Sequence, residues 1–418
     1  MFFKNKNKPE MSELIYWFQK TQTKLANSMK ESRHNAEDNN ANAYHMEDSV
    51  WTHTMMVCLM AEIESQKEYD KLQMITALLH DIGKPMSREE EVIEYENTGD
   101  RVKITRFKGH EGASYHLSIS VLNDLQKEGV IDEKDKQLIL KVIAFHGVLF
   151  DYIKDGKMYK PENIFSKFTE EEFILLIKQV RNDSLGRFAK SDYVKKEEPQ
   201  KLGVEIYTLE QYREFKRKEK EKLAEKEEER KKYNKTEYIK NKKLTVLIGP
   251  QGVGKSTWIK NNKKEEDMII SRDNEVLLYG KEKYGLANTS KIFEKLTEEE
   301  NKKIDANLLK KFHMAVKSNK NIIVDMTNTS KKSRRKWVNG VRKNYKKEAI
   351  LFQIEESKRK EQLEKREGKD SKLLKNKDYT EKLLKTFTYP TLEEFDEIKI
   401  KQSEQKSVKM KQTNEIKV

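Results

Sequence analysis

The run Gly249-Pro250-Gln251-Gly252-Val253-Gly254-Lys255-Ser256-Thr257 constrains this chain more than any other feature. It fits the spacing G-x-x-x-x-G-K-[ST], follows the apolar residues 244–248 and opens a helical stretch. That is the strand–loop–helix setting in which such a motif works. Glycines let backbone N–H groups turn inward around phosphates, and the start of the next helix adds favourable partial charge. Lys255 is placed to reach β- and γ-phosphates and Ser256 to hold Mg²⁺, while Gly249, Gln251, Gly252, Val253, Gly254 and Thr257 complete the loop. ATP with Mg²⁺ is the ligand this implies. Further short apolar runs at 268–270, 322–324 and 350–354 alternate with helical stretches. Strand-like runs separated by helices predict an α/β unit with a parallel sheet covered on both faces.

Polar residues follow those runs where a parallel sheet meets its ligand crevice. Asp273 comes just after the 268–270 run, placed to take the proton of an attacking hydroxyl. Asp325, Thr327 and Asn328 follow the 322–324 run; Asp325 is placed to hold Mg²⁺ or the acceptor. Residues 331–347 then carry nine Lys or Arg and no acidic residue, with Trp337 and Tyr345 interleaved. Arg334, Arg335 and Trp337 are therefore candidate nucleic-acid contacts, basic groups for a backbone and an aromatic for a base; the helical spacing equally allows Trp337 and Val341 to be core residues.

Ahead of this unit the pattern is helical. Segments 50–63, 70–82, 116–128, 133–146 and 170–188 space their apolar residues by three and four. A hairpin is expected at 91–107, with Val92, Ile93 and Tyr95 facing Val102, Ile104 and Phe107 across Asn97-Thr98-Gly99-Asp100. From 214 to 232 nine basic and seven acidic residues leave almost nothing apolar, the pattern of a charged helical linker. The expected organisation is an all-α unit at 1–200, a linker at 201–242 and the α/β unit at 243–418.

Seven of the eight histidines fall in the first 146 residues. His53, the pair His80-Asp81, His110, His146 and Asp183 each sit at or near the end of an apolar helical segment, so helix packing can gather them. Imidazoles with carboxylates suit a divalent transition metal such as Mn, Fe, Co, Ni or Zn better than Mg²⁺.

The C-terminal motifs GPQGVGKSTW, IISRD, IIVDMTN and EQLEKREGK resemble those of the polynucleotide 5′-kinase family, over about 243–400. The resemblance implies that Asp273 is the general base and that a lid at about 355–378 supplies Arg366 to the transferring phosphate. The family's acceptor-binding Arg, three residues after the base, is replaced here by Val276; Arg272 is the substitute nearest in sequence. The motifs VWTHT, LLHDIGKP, GHEGAS and NDSLGR resemble the HD phosphohydrolase superfamily over about 44–190, especially the HD domain of tRNA nucleotidyltransferases. The resemblance implies a catalytic Asp81 bridging two metals, with Lys84 near the substrate phosphate and His45, Glu47 and Glu111 in supporting places.

This order of domains is similar to that of the HD-Pnk family of RNA end-healing enzymes. The resemblance implies a 5′-hydroxyl kinase joined to a 2′,3′-cyclic phosphodiesterase or 2′-phosphatase acting on RNA ends, with sealing left to a separate ligase. Two other readings stand beside it. One is a nucleotide-metabolism enzyme that joins an HD nucleotidase to a small-molecule nucleoside kinase. The other is an HD hydrolase regulated by a P-loop ATPase.

Charge sharpens the division. Residues 1–200 hold 29 basic and 34 acidic side chains, and residues 201–418 hold 56 and 37, within a total of +14. The basic half suits a polyanion. The single cysteine excludes a disulfide framework and Cys-rich zinc modules. The charged N-terminus and the lack of a long apolar run predict no signal peptide and no membrane span, hence a soluble cytoplasmic chain.

Overall fold

A computed structural model of the chain describes residues 2–35, 45–94, 99, 101–147, 153–154, 157–158, 162–188, 209–225, 228, 242–367 and 377–402. The N-terminal region is helical, with a two-stranded antiparallel insertion, β1 (Glu89–Glu94) and β2 (Arg101–Arg106). Two further two-residue strands, β3 (Ile153–Lys154) and β4 (Lys157–Met158), pair antiparallel. In the hairpin Ile93 pairs with Val102, but Val92 pairs with Lys103 and is exposed. Tyr95 and most of the expected turn lie outside the described residues.

Several of the main helices begin for local reasons. The Asp70 carboxylate accepts the N–H groups of Leu72 and Gln73 and starts the helix Lys71–Leu79. Asp132 and Thr169 form capping boxes with Asp135 and Glu172, starting Glu133–Phe145 and Glu170–Leu185. Such caps satisfy N–H groups that the first turn leaves without partners. The helix His110–Lys127 begins six residues earlier than apolar spacing indicates, because Gly109 enters it from the left-handed region at φ 76°.

The C-terminal unit is a five-stranded sheet, entirely parallel, in the order β6-β7-β5-β8-β9. Its members are β5 (Lys242–Ile248), β6 (Met268–Ser271), β7 (Ile322–Asp325), β8 (Tyr345–Gln353) and β9 (Glu397–Gln402). The central β5 is buried from Leu244 onward, the continuous apolar run expected of a strand covered on both faces. β8 starts five residues before the 350–354 run and ends at Gln353, and β9 carries no apolar run long enough to announce it.

The two units pack against each other. Tyr115 stacks on Phe387 at 4.5 Å, and its hydroxyl accepts a hydrogen bond from Gln353 at 2.9 Å. Asn123 donates to Glu355 at 2.7 Å. Part of the segment expected as a charged helical linker is described. Residues 209–225 are helical, and Tyr212 is buried, stacked on Phe173 at 4.7 Å with its hydroxyl donating to the Phe168 carbonyl at 2.9 Å. The aromatic anchor docks the start of the charged segment onto the helical unit; its acidic and basic residues pair along the solvent side.

Candidate functional site

The phosphate loop joins β5 to the helix Lys255–Asn262 at the carboxyl edge of the sheet. Gly252 and Gly254 adopt φ of 82° and 94°, which side chains rarely tolerate. A Cβ on Gly252 would stand 2.7 Å from Leu363 Cγ, so the loop can lie against the helix Glu356–Glu367 only with glycine there. Lys255 Nζ donates to the Gly249 and Pro250 carbonyls at 2.8 Å each. Withdrawal from water pushes its pKa down to about 8, against the opposing pull of Asp325 and Asp273; Arg366 and Arg359 push the same way as burial. Lys255, Asp325, Asp273 and Arg366 thus lie within electrostatic reach of one another. Burial raises the Asp325 carboxyl, Lys255 lowers it and Asp273 raises it further. Asp273 is exposed in the first turn of the helix Arg272–Tyr284. Ser256 and Thr257 are exposed where the loop opens, Val253 is buried beneath it, and Gln251 donates to the Tyr379 hydroxyl at 2.9 Å.

β7 is tied to this loop by backbone. The Thr327 carbonyl accepts the Gly249 N–H at 2.9 Å. Asn328, buried at φ 47°, donates to the Leu247 carbonyl at 2.9 Å. Thr327 and Asn328 therefore set where β7 ends relative to the loop.

Two of the candidate nucleic-acid contacts, Trp337 and Arg334, are buried. Trp337 is fully buried against Phe312, centroids 5.0 Å apart, and has no face for a base. Arg334 is fully buried in a fork with Glu394 at 2.9 and 2.8 Å, and also donates to the carbonyls of Asn328, Thr329 and Thr388. It closes the turn after β7 rather than meeting a backbone phosphate. Arg272 turns toward the helix Glu298–Lys317, donating to Asp305 at 2.7 Å and Asn301 at 2.6 Å. Val276 is buried in a small apolar cluster with Ile292 and Ile304. Arg335 remains exposed on the basic helix Lys331–Gly340.

In the helical unit, packing gathers the other five expected metal ligands around Asp81. Its Oδ2 is 3.2 Å from His80 Nε2 and 3.5 Å from His53 Nε2, and His53 Nε2 is 3.0 Å from Asp183 Oδ1. Its Oδ1 is 3.4 Å from His110 Nε2 and 3.6 Å from His146 Nε2. One carboxylate thus faces two donor groups from opposite oxygens. Ring orientation is fixed from behind. The Nδ1 atoms of His80, His110 and His146 lie 2.8 Å from the carbonyls of Ala77, Phe107 and Ile143. A carbonyl can only accept, so each Nδ1 is the donor, and each ring in its neutral form turns the Nε2 lone pair inward. His110 Nε2 and His146 Nε2 are then only 3.1 Å apart.

This arrangement fits a cation. His80 Nε2 and Asp81 Oδ1 are buried without a hydrogen-bond partner, an omission that costs about 1–3 kcal/mol per group unless something compensates. Burial opposes ionisation of Asp81, yet His80, Lys84 and His146 hold its carboxyl well below the usual range. Burial lowers His146, and contact with Asp81 more than reverses this, to about 9. Lys84 Nζ is 2.6 Å from Asp81 Oδ2. Glu111 stands beside His110, 3.5 Å from Nδ1. His45 Nδ1 is 2.7 Å from Glu47 Oε1.

Two residues escaped the sequence reading. His34 is buried against His45, ring centroids 4.4 Å apart, but no motif surrounds it. Arg359 is buried and donates to the Gln251 carbonyl at 3.2 Å, holding the helix Glu356–Glu367 on the phosphate loop. Its signal was available, because it lies two helical turns before Arg366 and shares its face. Residues 368–376 of the expected lid lie outside the described residues.

Among the described residues no helix is long and apolar enough to cross a membrane. Residues 244–390, about a third of the chain, match the family model described as an AAA domain, and the sheet and loop there make this unit a P-loop domain. No curated protein matches the chain. Two solved structures show partial likeness at 21% identity. "Structure of Pnkp1/Rnl/Hen1 complex" aligns at a TM-score of 0.23, over 28% of this chain and 37% of that one. "Structure of the Pnkp1/Rnl/Hen1 RNA repair complex" aligns at 0.27, over 38% and 50%. The matched part thus spans half or less of those chains' length.

Proposed function

We propose that this chain prepares broken RNA ends for sealing, with a 5′-hydroxyl kinase in the P-loop domain and a metal-dependent 2′,3′-cyclic phosphodiesterase or 2′-phosphatase in the helical unit. The supporting observation is the coexistence in one chain of a phosphate loop and a buried cluster of imidazoles and carboxylates. Two carboxylates stand near the P-loop lysine, and a third carboxylate stands between two imidazole groups.

In the crevice Lys255 holds the β- and γ-phosphates of ATP, and Ser256 with Asp325 would hold Mg²⁺, which supplies charge neutralisation there. Asp273 accepts the proton of the 5′-hydroxyl as its oxygen attacks the γ-phosphorus. The bond from that phosphorus to the β–γ bridging oxygen breaks, and ADP leaves. An exposed base suits a polymeric acceptor, since the end of a strand reaches it without being engulfed. Arg366 neutralises charge on the transferring group.

In the helical unit His53, His80, Asp81 and Asp183 would hold one cation, and Asp81, His110 and His146 a second. A divalent ion such as Mn, Co, Ni or Fe supplies an activated water and polarises a phosphoryl oxygen. Lys84 is positioned to draw a phosphate toward Asp81. The cytoplasm is the setting in which such an enzyme would meet cleaved RNA, and a separate ligase would follow it.

A small-molecule reading gains from the burial of Arg334 and Trp337, which shrinks the exposed nucleic-acid patch. Labelled ATP offered to a 5′-hydroxyl oligoribonucleotide and to free nucleosides decides between them. The proposal expects label on the oligonucleotide; transfer only to the nucleoside would replace it with a nucleoside kinase.

A further inference from the structure

The four candidate metal-binding histidines are not held alike. His80 and His146 follow helix C-termini, where carbonyls of the last turn lack intrahelical partners, and His110 opens a helix just after the Phe107 carbonyl, which also takes the His110 N–H at 3.2 Å. Each can therefore anchor its Nδ1 on backbone three residues earlier. His53 lies inside the helix Val50–Ser65, where the corresponding carbonyl, Val50, already accepts the Thr54 hydroxyl at 2.9 Å. No local carbonyl serves His53, and its ring must be oriented from outside its helix.

Glu47 stands in that place. It is buried, and its Oε1 lies 3.1 Å from His53 Nδ1, off the straight line of an ideal hydrogen bond, and 2.7 Å from His45 Nδ1. Its Oε2 accepts the Phe188 N–H at 3.0 Å, and the Met46 N–H donates to the Phe188 carbonyl at 2.8 Å. Phe188 comes five residues after Asp183. The segment before the first ligand is thus clasped to the segment after the last.

We infer that Glu47 is a positioning residue of the metal centre, fixing the His53 ring with its Nε2 toward Asp81 and Asp183 and strengthening His53 as a donor. This rests on the proposed metal centre and adds an asymmetry to it. A carboxylate behind a ligating imidazole fixes its tautomer and raises its basicity. Glu111 is farther from His110 Nδ1, at 3.5 Å, while the Phe107 carbonyl takes that nitrogen at 2.8 Å. The half of the centre with His53, His80, Asp81 and Asp183 therefore binds its cation more tightly than the half with His110 and His146. His34, His45 and Glu47 lie close enough to suggest a third cation site. Both Glu47 oxygens already face N–H groups, so the cluster is read as an orienting device.

The test is titration of metal-free full-length chain with Mn²⁺ by calorimetry, for wild type and Glu47→Gln, with thermal midpoints recorded in parallel. The wild type should bind two equivalents of unequal affinity. Glu47→Gln, nearly equal in shape, should weaken the tighter equivalent by about 10- to 100-fold. The weaker equivalent and the metal-free midpoint should stay close to wild type. Unchanged affinities would overturn the inference. So would a joint fall of both affinities with the midpoint, which marks a merely structural role. Loss of a third wild-type equivalent would make Glu47 itself a ligand. A wild type that binds no Mn²⁺ removes the metal centre and the inference together. Two wild-type equivalents left unaffected by Glu47→Gln remove the inference alone.

Discussion

In the helical half, the candidate ligands come from five segments spread over 130 positions, from His53 to Asp183, and most are withdrawn from water. In the P-loop half, nine consecutive residues make the phosphate cradle, and the carboxylate proposed as acceptor base is exposed. The difference fits what the two proposed chemistries would require. A metal centre built of imidazoles and carboxylates keeps its donors fixed and dry so that water does not compete for them. A site that exchanges nucleotide and receives the end of a polymer has to stay open.

The largest effect should come from the shared ligand. Asp81→Ala should remove both metal equivalents and lower phosphoester hydrolysis by roughly 10⁴-fold or more, as loss of a member of a catalytic unit does. Metal content and product release measure this; retention of one full-affinity equivalent would show that Asp81 does not serve both halves. Asp273→Asn should lower transfer to a 5′-hydroxyl end by about 10²–10⁴-fold, with ATP affinity within about twofold, measured by single-turnover kinetics and nucleotide titration.

The comparison breaks down at the shared interface. Tyr115 lies on the helix that begins with His110 and stacks on Phe387 of the P-loop half. Tyr115→Ala should cost about 3–5 kcal/mol, the usual penalty for emptying a large aromatic site. Both activities should then lose heat resistance together; separate midpoints would show two independently stable units. A smaller effect belongs to the P-loop half alone. Lys255, with its pKa lowered to about 8, carries its charge below that pH and loses it above. ATP affinity should therefore fall about tenfold between pH 7 and pH 9, if bound phosphates keep the lysine charged in the complex. Flat affinity over that range would place its pKa elsewhere. The smallest effect is expected at exposed Arg335. Arg335→Ala should weaken binding of single-stranded RNA only a few-fold and reduce the salt slope by about 0.7, one phosphate contact.

What the sequence made legible follows the same division. The phosphate loop could be read because its chemistry is contiguous, and four strands of the sheet because both faces bury their apolar residues. β9 was missed, since Glu397, Lys399 and Lys401 interrupt its apolar residues at the sheet's edge. The six candidate metal ligands are legible from helix ends, but which oxygen of Asp81 faces which imidazole is a product of packing. Arg334 and Trp337 show the opposite failure. A basic, aromatic run reads as a binding surface, whereas helical spacing turns those two positions inward, onto Glu394 and Phe312. Glu47 needed the structure because its partners, His53 and Phe188, are brought together only by the return of the chain after Asp183.

The most direct test of two separate chemistries in one chain uses a single RNA with a 5′-hydroxyl and a labelled 2′,3′-cyclic phosphate, incubated with ATP, Mg²⁺ and Mn²⁺. The products are resolved for wild type, Lys255→Ala and Asp81→Ala. Wild type should phosphorylate the 5′ end and open or remove the 3′-side phosphate. Lys255→Ala should change only the 3′ side, and Asp81→Ala only the 5′ end. A folded variant that loses both reactions, or a wild type that alters neither end, would contradict the account.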